Sequence, residues 1–234
     1  MPRTHADLIQ SLVRQNIIKT ERIQAAMLAT DRLDFSTDRL YEDAPQPSKN
    51  LLAHSIETHC YLVGYNVTIS APHMHAHALE MLRDRLVPGA RVLDVGSGSG
   101  YLTACMARLV QPGGKVIGIE HIPELVQLSM KNISKNGRAL FESGTLEIVT
   151  GDGRLGWPIG GPYDAIHVGA AAPSRPTALI EQLKPGGRLV VPVGVGNQQM
   201  MIYDKSSDGH QVHEHATLGV RYVPLTDKAK QWRD

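Results

Sequence analysis

The spacing of apolar residues changes twice along the chain. Near the start, Leu8, Ile9, Leu12 and Val13 fall on one helical face. A second helix is predicted in TERIQAAMLAT, where Ile23 and Met27 stand at helical spacing and Thr20 is placed to cap it. The stretch from Arg32 to Asn66 is irregular and holds Pro45 and Pro47. A third helix is predicted from Ala71, with Ser70 as its cap and Pro72 in its first turn. Met74, Ala78 and Leu82 form its stripe, Leu79 and Leu86 lie beside it, and Pro88-Gly89-Ala90 ends it.

From there the period shortens. RVLDVG and KVIGIE read as buried strands, with YLTACMARLV as the helix between them. ELVQLSMKNI is a further helix, LEIVTGD a third strand and YDAIHVGAA a fourth. TALIEQL reads as a helix ended by KPGG, and RLVVPVG as a fifth strand. Such alternation implies a parallel sheet with helices on both faces. In the last part QMMIYDK and HQVHEHATLGVRYV flank SSDG, a turn signal, and read as an antiparallel hairpin on one edge. The fold class is therefore α/β, doubly wound and mostly parallel, with an antiparallel C-terminal edge.

Composition narrows the class without changing the pattern. The 234 residues are 42% hydrophobic and 20% charged, as in globular proteins. Lys+Arg 24 against Asp+Glu 23 gives a net charge of +1, a poor footprint for a nucleic-acid binder. No apolar run reaches the length of a membrane span, and the N-terminal stretch lacks a signal peptide's apolar core. Cys60 and Cys105 are too few for a disulfide framework, so the expected setting is reduced and cytoplasmic.

LDVGSGSGYLT follows a predicted strand and opens a helix. A plain structural turn would explain the glycines alone, but their company is informative. In the dinucleotide fingerprint the last glycine falls one position later than in this loop of Gly96, Ser97, Gly98 and Gly100. Asp94 at the strand end would repel a pyrophosphate but suits a cationic ligand with amino and hydroxyl groups, such as S-adenosylmethionine. Glu120 ends the next strand and can accept two bonds from a ribose diol, unless it is only a solvated acid. Asp152 ends the third and can accept from an adenine amino group, with Gly153 leaving room for the ring. All three acids fall at the C-terminal ends of parallel strands, where open α/β sheets bind ligands.

TISAPHMHAHALEML sets Ser70 ahead of His73, His75 and His77. His73 and His77 have metal-like spacing but lack the Glu of a zinc motif and a third ligand, so they read as ordinary helix residues, and no metal is expected.

These segments resemble the protein-L-isoaspartate (D-aspartate) O-methyltransferase family, in its order: MLATDR, TISAPHMHA, LDVGSGSGYLTA, GDGR, YDAIHVGAAAP, LKPGGRL and YVPLTDKAKQW. The resemblance implies a Rossmann-like class I methyltransferase fold. It also implies methyl transfer from S-adenosylmethionine, leaving S-adenosylhomocysteine, to the α-carboxylate of L-isoaspartyl and, more weakly, D-aspartyl residues in damaged proteins and peptides. It assigns Val67, Thr68, Ile69 and Ser70 to the loop over donor and substrate, with Ser70 as the active-site serine. His75, Asp94, Gly96, Ser97, Gly98, Thr226 and Gln231 match donor contacts. Glu120 and His121 match the ribose pair, and Asp152 and Gly153 the adenine pair.

A carboxylate is already a nucleophile at neutral pH, so alignment is the main demand and no Ser–His–Asp triad is expected. Ser70 would then donate a hydrogen bond that positions the carboxylate. Substrate backbone would be held by Val168, Gly169 and Ala170 and by the strand edge around Val223, with Arg221 as a partner for acidic peptides. The expected protein is one methyltransferase domain over 1–234, cytoplasmic and monomeric, with no nucleic-acid or membrane partner. Its parts are N-terminal helices (1–46), an insertion atypical of the family (47–63), the donor-binding core (64–204) and a C-terminal strand and tail (205–234). The insertion precedes the Thr68–Ser70 loop, which raises the alternative of an isoform that binds donor and isoaspartyl sites with little catalysis. Asn136-Gly137 and Asp208-Gly209 read as turns in which glycine leaves the next amide free to attack the side chain.

Overall fold

The computed structural model describes residues 2–36, 40–47 and 68–227. Val67, Gln231 and nearly all of the 47–63 insertion, including His54, His59 and Cys60, lie outside the described residues.

The N-terminal part is helical. Helix α1 (His5–Arg14) opens on a reciprocal cap in which Thr4 Oγ1 accepts from the Asp7 amide and the Asp7 carboxylate accepts from the Thr4 amide, each at 3.1 Å. Leu8, Ile9 and Leu12 are buried as their spacing requires, and Val13 packs against the same cluster. Helix α2 (Glu21–Leu28) follows. Thr20 stands at its cap position but makes no capping bond, because its hydroxyl donates instead to the Glu80 carboxylate at 2.8 Å. Glu80 also accepts the Lys19 and Thr20 amides and so ties α2 to a later helix.

A short 3-10 turn, Arg32–Asp34, leads toward a two-residue strand β1 (Gln46–Pro47) that pairs antiparallel with β2 (Thr68–Ile69). Helix α3 (Pro72–Leu82) buries Ala78, Leu79 and Leu82 as expected, with Met74 partly buried. Its cap is Ala71, one residue beyond the expected Ser70, and no side-chain cap bond forms. Pro72 at the first position lacks an amide that would need one.

The rest alternates strand and helix: β3 (Arg91–Val95), α4 (Tyr101–Leu109), β4 (Lys115–Glu120), α5 (Pro123–Glu142), β5 (Leu146–Thr150), β6 (Tyr163–Val168), α6 (Thr177–Glu181), β7 (Leu183–Val193), β8 (Gln198–Lys205) and β9 (Val212–Val220). They form one sheet in the order β5-β4-β3-β6-β7-β8-β9. Pairings from β5 through β7 are parallel, and those of β7–β8 and β8–β9 are antiparallel. The chain runs outward from β3 to β5 and then returns to β6 on the other side of β3. That reversal puts the crevice of an open α/β sheet at the carboxyl ends of β3 and β6.

Strand period two divides the core between the two faces. Val92, Ala165 and Val190 pack on the side of α1 to α4, while Leu93, Val95, Ile166, Val168 and Leu189 pack with α6 on the other. Cys105 on α4 is fully buried, and burial pushes its thiol up to about 11.

Two boundaries differ from expectation. Lys184-Pro185-Gly186-Gly187 belongs to β7 and does not form a helix stop; α6 is only five residues long, and the β6–β7 register shifts between Tyr163 and Ala165. Helix α5 continues past Asn136-Gly137, which therefore lies in a helix and not in a turn. Gly137 alone departs from helical angles, at φ −136° and ψ 22°. Asp208-Gly209 does lie in the β8–β9 turn, with Gly209 at φ +78°.

Candidate active site

The register of β3 on β6 sets Asp94 directly beside His167, on the face that carries α4. The His167 Nδ1 lies 2.8 Å from Asp94 Oδ1, and the Thr103 hydroxyl of α4 donates to Oδ2 at 2.5 Å. All three side chains are buried. Asp94 is thus held by two partners of the protein's own. His167 was not among the sequence-predicted residues, although HVGAAA placed it at a strand end.

After β3 the chain turns sharply into α4. Gly100 caps α4 at φ +85°, and a side chain there would meet Ile133 at 2.8 Å. The turn brings the Gly98 amide to Glu120 Oε2 at 3.2 Å. Glu120 Oε1 accepts the His121 and Ile122 amides at 2.8 and 3.2 Å. Three of roughly four acceptor positions on this carboxylate are filled, leaving capacity on Oε2. Burial nevertheless pushes the Glu120 carboxyl up from its ordinary value, with His121 and the amides pulling the other way.

Asp152 differs. Its carboxylate faces the Arg154 guanidinium at 2.6 to 3.1 Å, which holds it below the usual carboxylate range. It does not line the cleft, whereas its neighbour Gly153 does. A side chain at Gly153 would meet Val95 Cγ1 at 2.5 Å.

The opposite wall comes from the N-terminal part. Ser70 and His75 reach the cleft from the loop before α3 and from α3 itself. Behind them Arg32 is fully buried. Its guanidinium sits 3.3 Å from His75 Nδ1, donates to the Ser70 carbonyl at 3.3 Å and lies over the Tyr101 ring at 5.3 Å. Burial, then the Arg32 charge, hold the His75 imidazole well below its ordinary value. Arg32 too was absent from the sequence prediction, since arginine is ordinarily a surface residue. His73 lies apart from this wall, bonded to Asp43 at 2.9 Å.

The cleft is partly open to solvent. It gathers Thr68, Ile69, Ser70, His75, Asp94, Gly96, Ser97, Gly98, Glu120, His121, Gly153, Gly169, Ala170, Val223 and Thr226 from the predicted set, and His167 besides. Val168 is buried in the core and does not line it. A second recess shares Thr68, Ser70, Gly169 and Val223 with the first and adds Arg221 and Tyr222. Burial pushes the Tyr222 phenol up to about 12, while the adjoining Ser70 hydroxyl pulls it back.

The backbone around this recess is less open than expected. Val223 and Leu225 are bonded to Ala171, and the Gly169 and Ala172 amides go to Val95 and Pro192.

The donor set can be tested against S-adenosylmethionine. Ser97 Oγ is buried at the cleft without a partner among the described residues, Glu120 Oε2 retains acceptor capacity, and the space beside Gly96 in the turn is open. Hydroxyl and carboxylate acceptors beside an acid-lined turn fit a sulfonium ligand bearing a ribose and an amino group. Fold and cleft together define a class I methyltransferase.

Comparison with known proteins takes this further. A family model described as protein-L-isoaspartate(D-aspartate) O-methyltransferase (PCMT) matches residues 3–230. A Triticum aestivum protein-L-isoaspartate O-methyltransferase is 48% identical over 97% of this chain and 93% of its own length. The Caenorhabditis elegans enzyme is 46% identical over 98% of this chain and 95% of its own. A Plasmodium falciparum crystal structure, of a protein described as such a methyltransferase in complex with S-adenosyl-L-homocysteine, superposes with a TM-score of 0.82 at 32% identity. That match covers 96% of this chain and 99% of the other. The chain belongs to the protein-L-isoaspartate(D-aspartate) O-methyltransferase family.

Proposed function

We propose that this chain methylates the α-carboxylate of L-isoaspartyl residues, and D-aspartyl residues more weakly, in damaged proteins and peptides, using S-adenosylmethionine. The observation that carries the reading is the position of Ser70, on the shared wall of two recesses. One recess has the acid-and-glycine chemistry of a donor site, and the other opens beside Arg221 and Tyr222.

When bound, the donor supplies a methyl group activated on a sulfonium. Ser97, Glu120 and Thr226 would hold it, with Gly153 leaving room for its base. The protein's own task is alignment. The Ser70 hydroxyl donates a hydrogen bond to the incoming carboxylate and so fixes the oxygen that attacks. Tyr222 stays protonated at neutral pH and supports that hydroxyl. Asp94, held by His167 and Thr103, keeps the floor rigid. The Gly169 and Ala170 main chain and the Arg221 side chain border the peptide.

In the same reading the protein is a cytoplasmic monomer without a nucleic-acid partner, the last supported by its net charge of +1. The stretch 47–63 is tolerated in this reading, since added chain length between two fixed ends costs little closure entropy. Deletion of 48–63, which spares the Pro47–Thr68 pairing, should leave turnover unchanged. The binding-only isoform has no observation in its favour.

The test is label transfer from S-adenosylmethionine to an isoaspartyl peptide and to the same peptide with ordinary aspartate. Base-labile label on the first alone is expected, and Ser70→Ala should slow turnover about tenfold or more. Equal labelling of both peptides, or of neither, would overturn the reading.

A further inference from the structure

Arg32 is the most deeply buried cation of the described chain, yet the alignment mechanism makes no use of it. No side chain is exposed less, and no carboxylate stands within 4 Å of its guanidinium among the described residues. Its Nε makes no hydrogen bond. A buried, unpaired charge is costly and is ordinarily compensated by an anion. The contacts it does make are all to groups of the cleft wall: His75 Nδ1, the Ser70 carbonyl and the Tyr101 ring on which His75 also packs, with ring centroids 4.9 Å apart.

The chemistry of the pair settles the histidine. A guanidinium carries donors only, so His75 Nδ1 must be the acceptor. The imidazole proton then sits on Nε2. A charged His75 would need a proton on Nδ1 pointing at the guanidinium, so the ring stays neutral. Nε2 has no bond partner among the described residues, and His75 lines the cleft.

We propose that Arg32 is a positioning residue. Its buried fork fixes His75 as the Nε2–H tautomer and braces the Ser70 carbonyl, and its charge, which Asp43 offsets only from beyond contact distance, is met by a carboxylate bound in the cleft. Two such carboxylates exist in the methyl-transfer reading on which this inference rests, that of the donor's amino-acid arm and that of the substrate. Arg32 touches neither; it acts through His75 and through its field across the wall.

The charged and titratable groups facing His75 are Arg32 from the 3-10 turn, Tyr101 from α4, His167 from β6 and, on its own helix, His73 with its partner Asp43. Of these, Arg32 alone bonds the ring and is always charged.

The experiment uses ¹⁵N-imidazole NMR on the ligand-free protein, alongside binding and kinetics, for the wild type, Arg32→Met and Arg32→Lys. In the wild type, His75 should show the neutral Nε2–H pattern between pH 6 and 8. In Arg32→Met it should become a tautomer mixture whose titration moves upward but stays below the ordinary value, because burial of the ring persists. Arg32→Lys should keep the charge, lose one of the two bonds and fall between them. S-adenosylhomocysteine should bind Arg32→Met about tenfold to a hundredfold more weakly, with an analogue lacking the carboxylate unaffected, if the donor arm is the anion. If the substrate is the anion, the loss should appear in the peptide KM instead. An unchanged His75 spectrum in a folded Arg32→Met protein would overturn the tautomer lock. Unchanged affinities for both ligands would overturn the charge role. The spectra are read without turnover, so they stand or fall independently of the proposed activity.

Discussion

On the strand-end wall of the cleft, Asp94 and Glu120 are buried anions surrounded by donors of the protein itself: His167 and Thr103 for one, three backbone amides for the other. On the helix wall, Arg32 is as deeply buried, and among the described residues its fork meets a ring nitrogen, a carbonyl and an aromatic face. The first wall is nearly complete electrostatically and offers shape plus a few remaining lone pairs. The second is incomplete and offers charge. A ligand that is cationic at its reacting centre and anionic at one end can meet both.

This contrast can be broken most severely at Asp94. Asp94→Ala leaves two buried partners unsatisfied and should lower the unfolding free energy by about 3 kcal/mol in urea denaturation. A loss below about 1 kcal/mol would mean the network is not part of the fold. Gly153→Val should overpack against Val95, costing about 1–3 kcal/mol, and should weaken S-adenosylhomocysteine binding in calorimetry. Unaltered binding would move the base away from Gly153.

Glu120→Gln sharpens the comparison through pH. Because burial raises the Glu120 carboxyl in the folded state, the folded protein holds that proton more tightly than the unfolded chain. Its contribution to stability is therefore greatest below the unfolded value of about 4.5 and is lost as pH rises through the folded value. The wild type should gain on Glu120→Gln as pH falls through that window, and a constant difference would contradict a raised carboxyl. Asp152→Asn should be the mildest, with an unchanged melting temperature, because its partner Arg154 is solvent-exposed.

The strand-end wall was largely legible from sequence. Buried apolar runs, a glycine turn and acids at strand ends are local signals; Asp94, Glu120 and the glycine turn do line the cleft, whereas Asp152 turns to Arg154 outside it. What was not legible depends on contacts between distant residues. Asp94 meets His167 only through the β3–β6 register, and nothing near Arg32 in the chain marks it for burial. The Ser70 cap failed for a local reason, since Pro72 had already removed the need for one. The KPGG stop failed because β7 recruited it into the sheet, and α5 runs past Asn136-Gly137 because its buried face continues through Ile133, Gly137 and Leu140.

Cys105 gives the protein an internal clock. The thiolate is the species that reacts with alkylating reagents, and a thiol near 11 inside the core supplies almost none of it. Alkylation at this position, followed by peptide mapping, therefore advances only when the α4 layer opens to solvent. Its rate reports the free energy of that opening. A ligand bound only by the closed form must slow the clock by mass action, so occupancy of the cleft can be timed at a residue that never touches it.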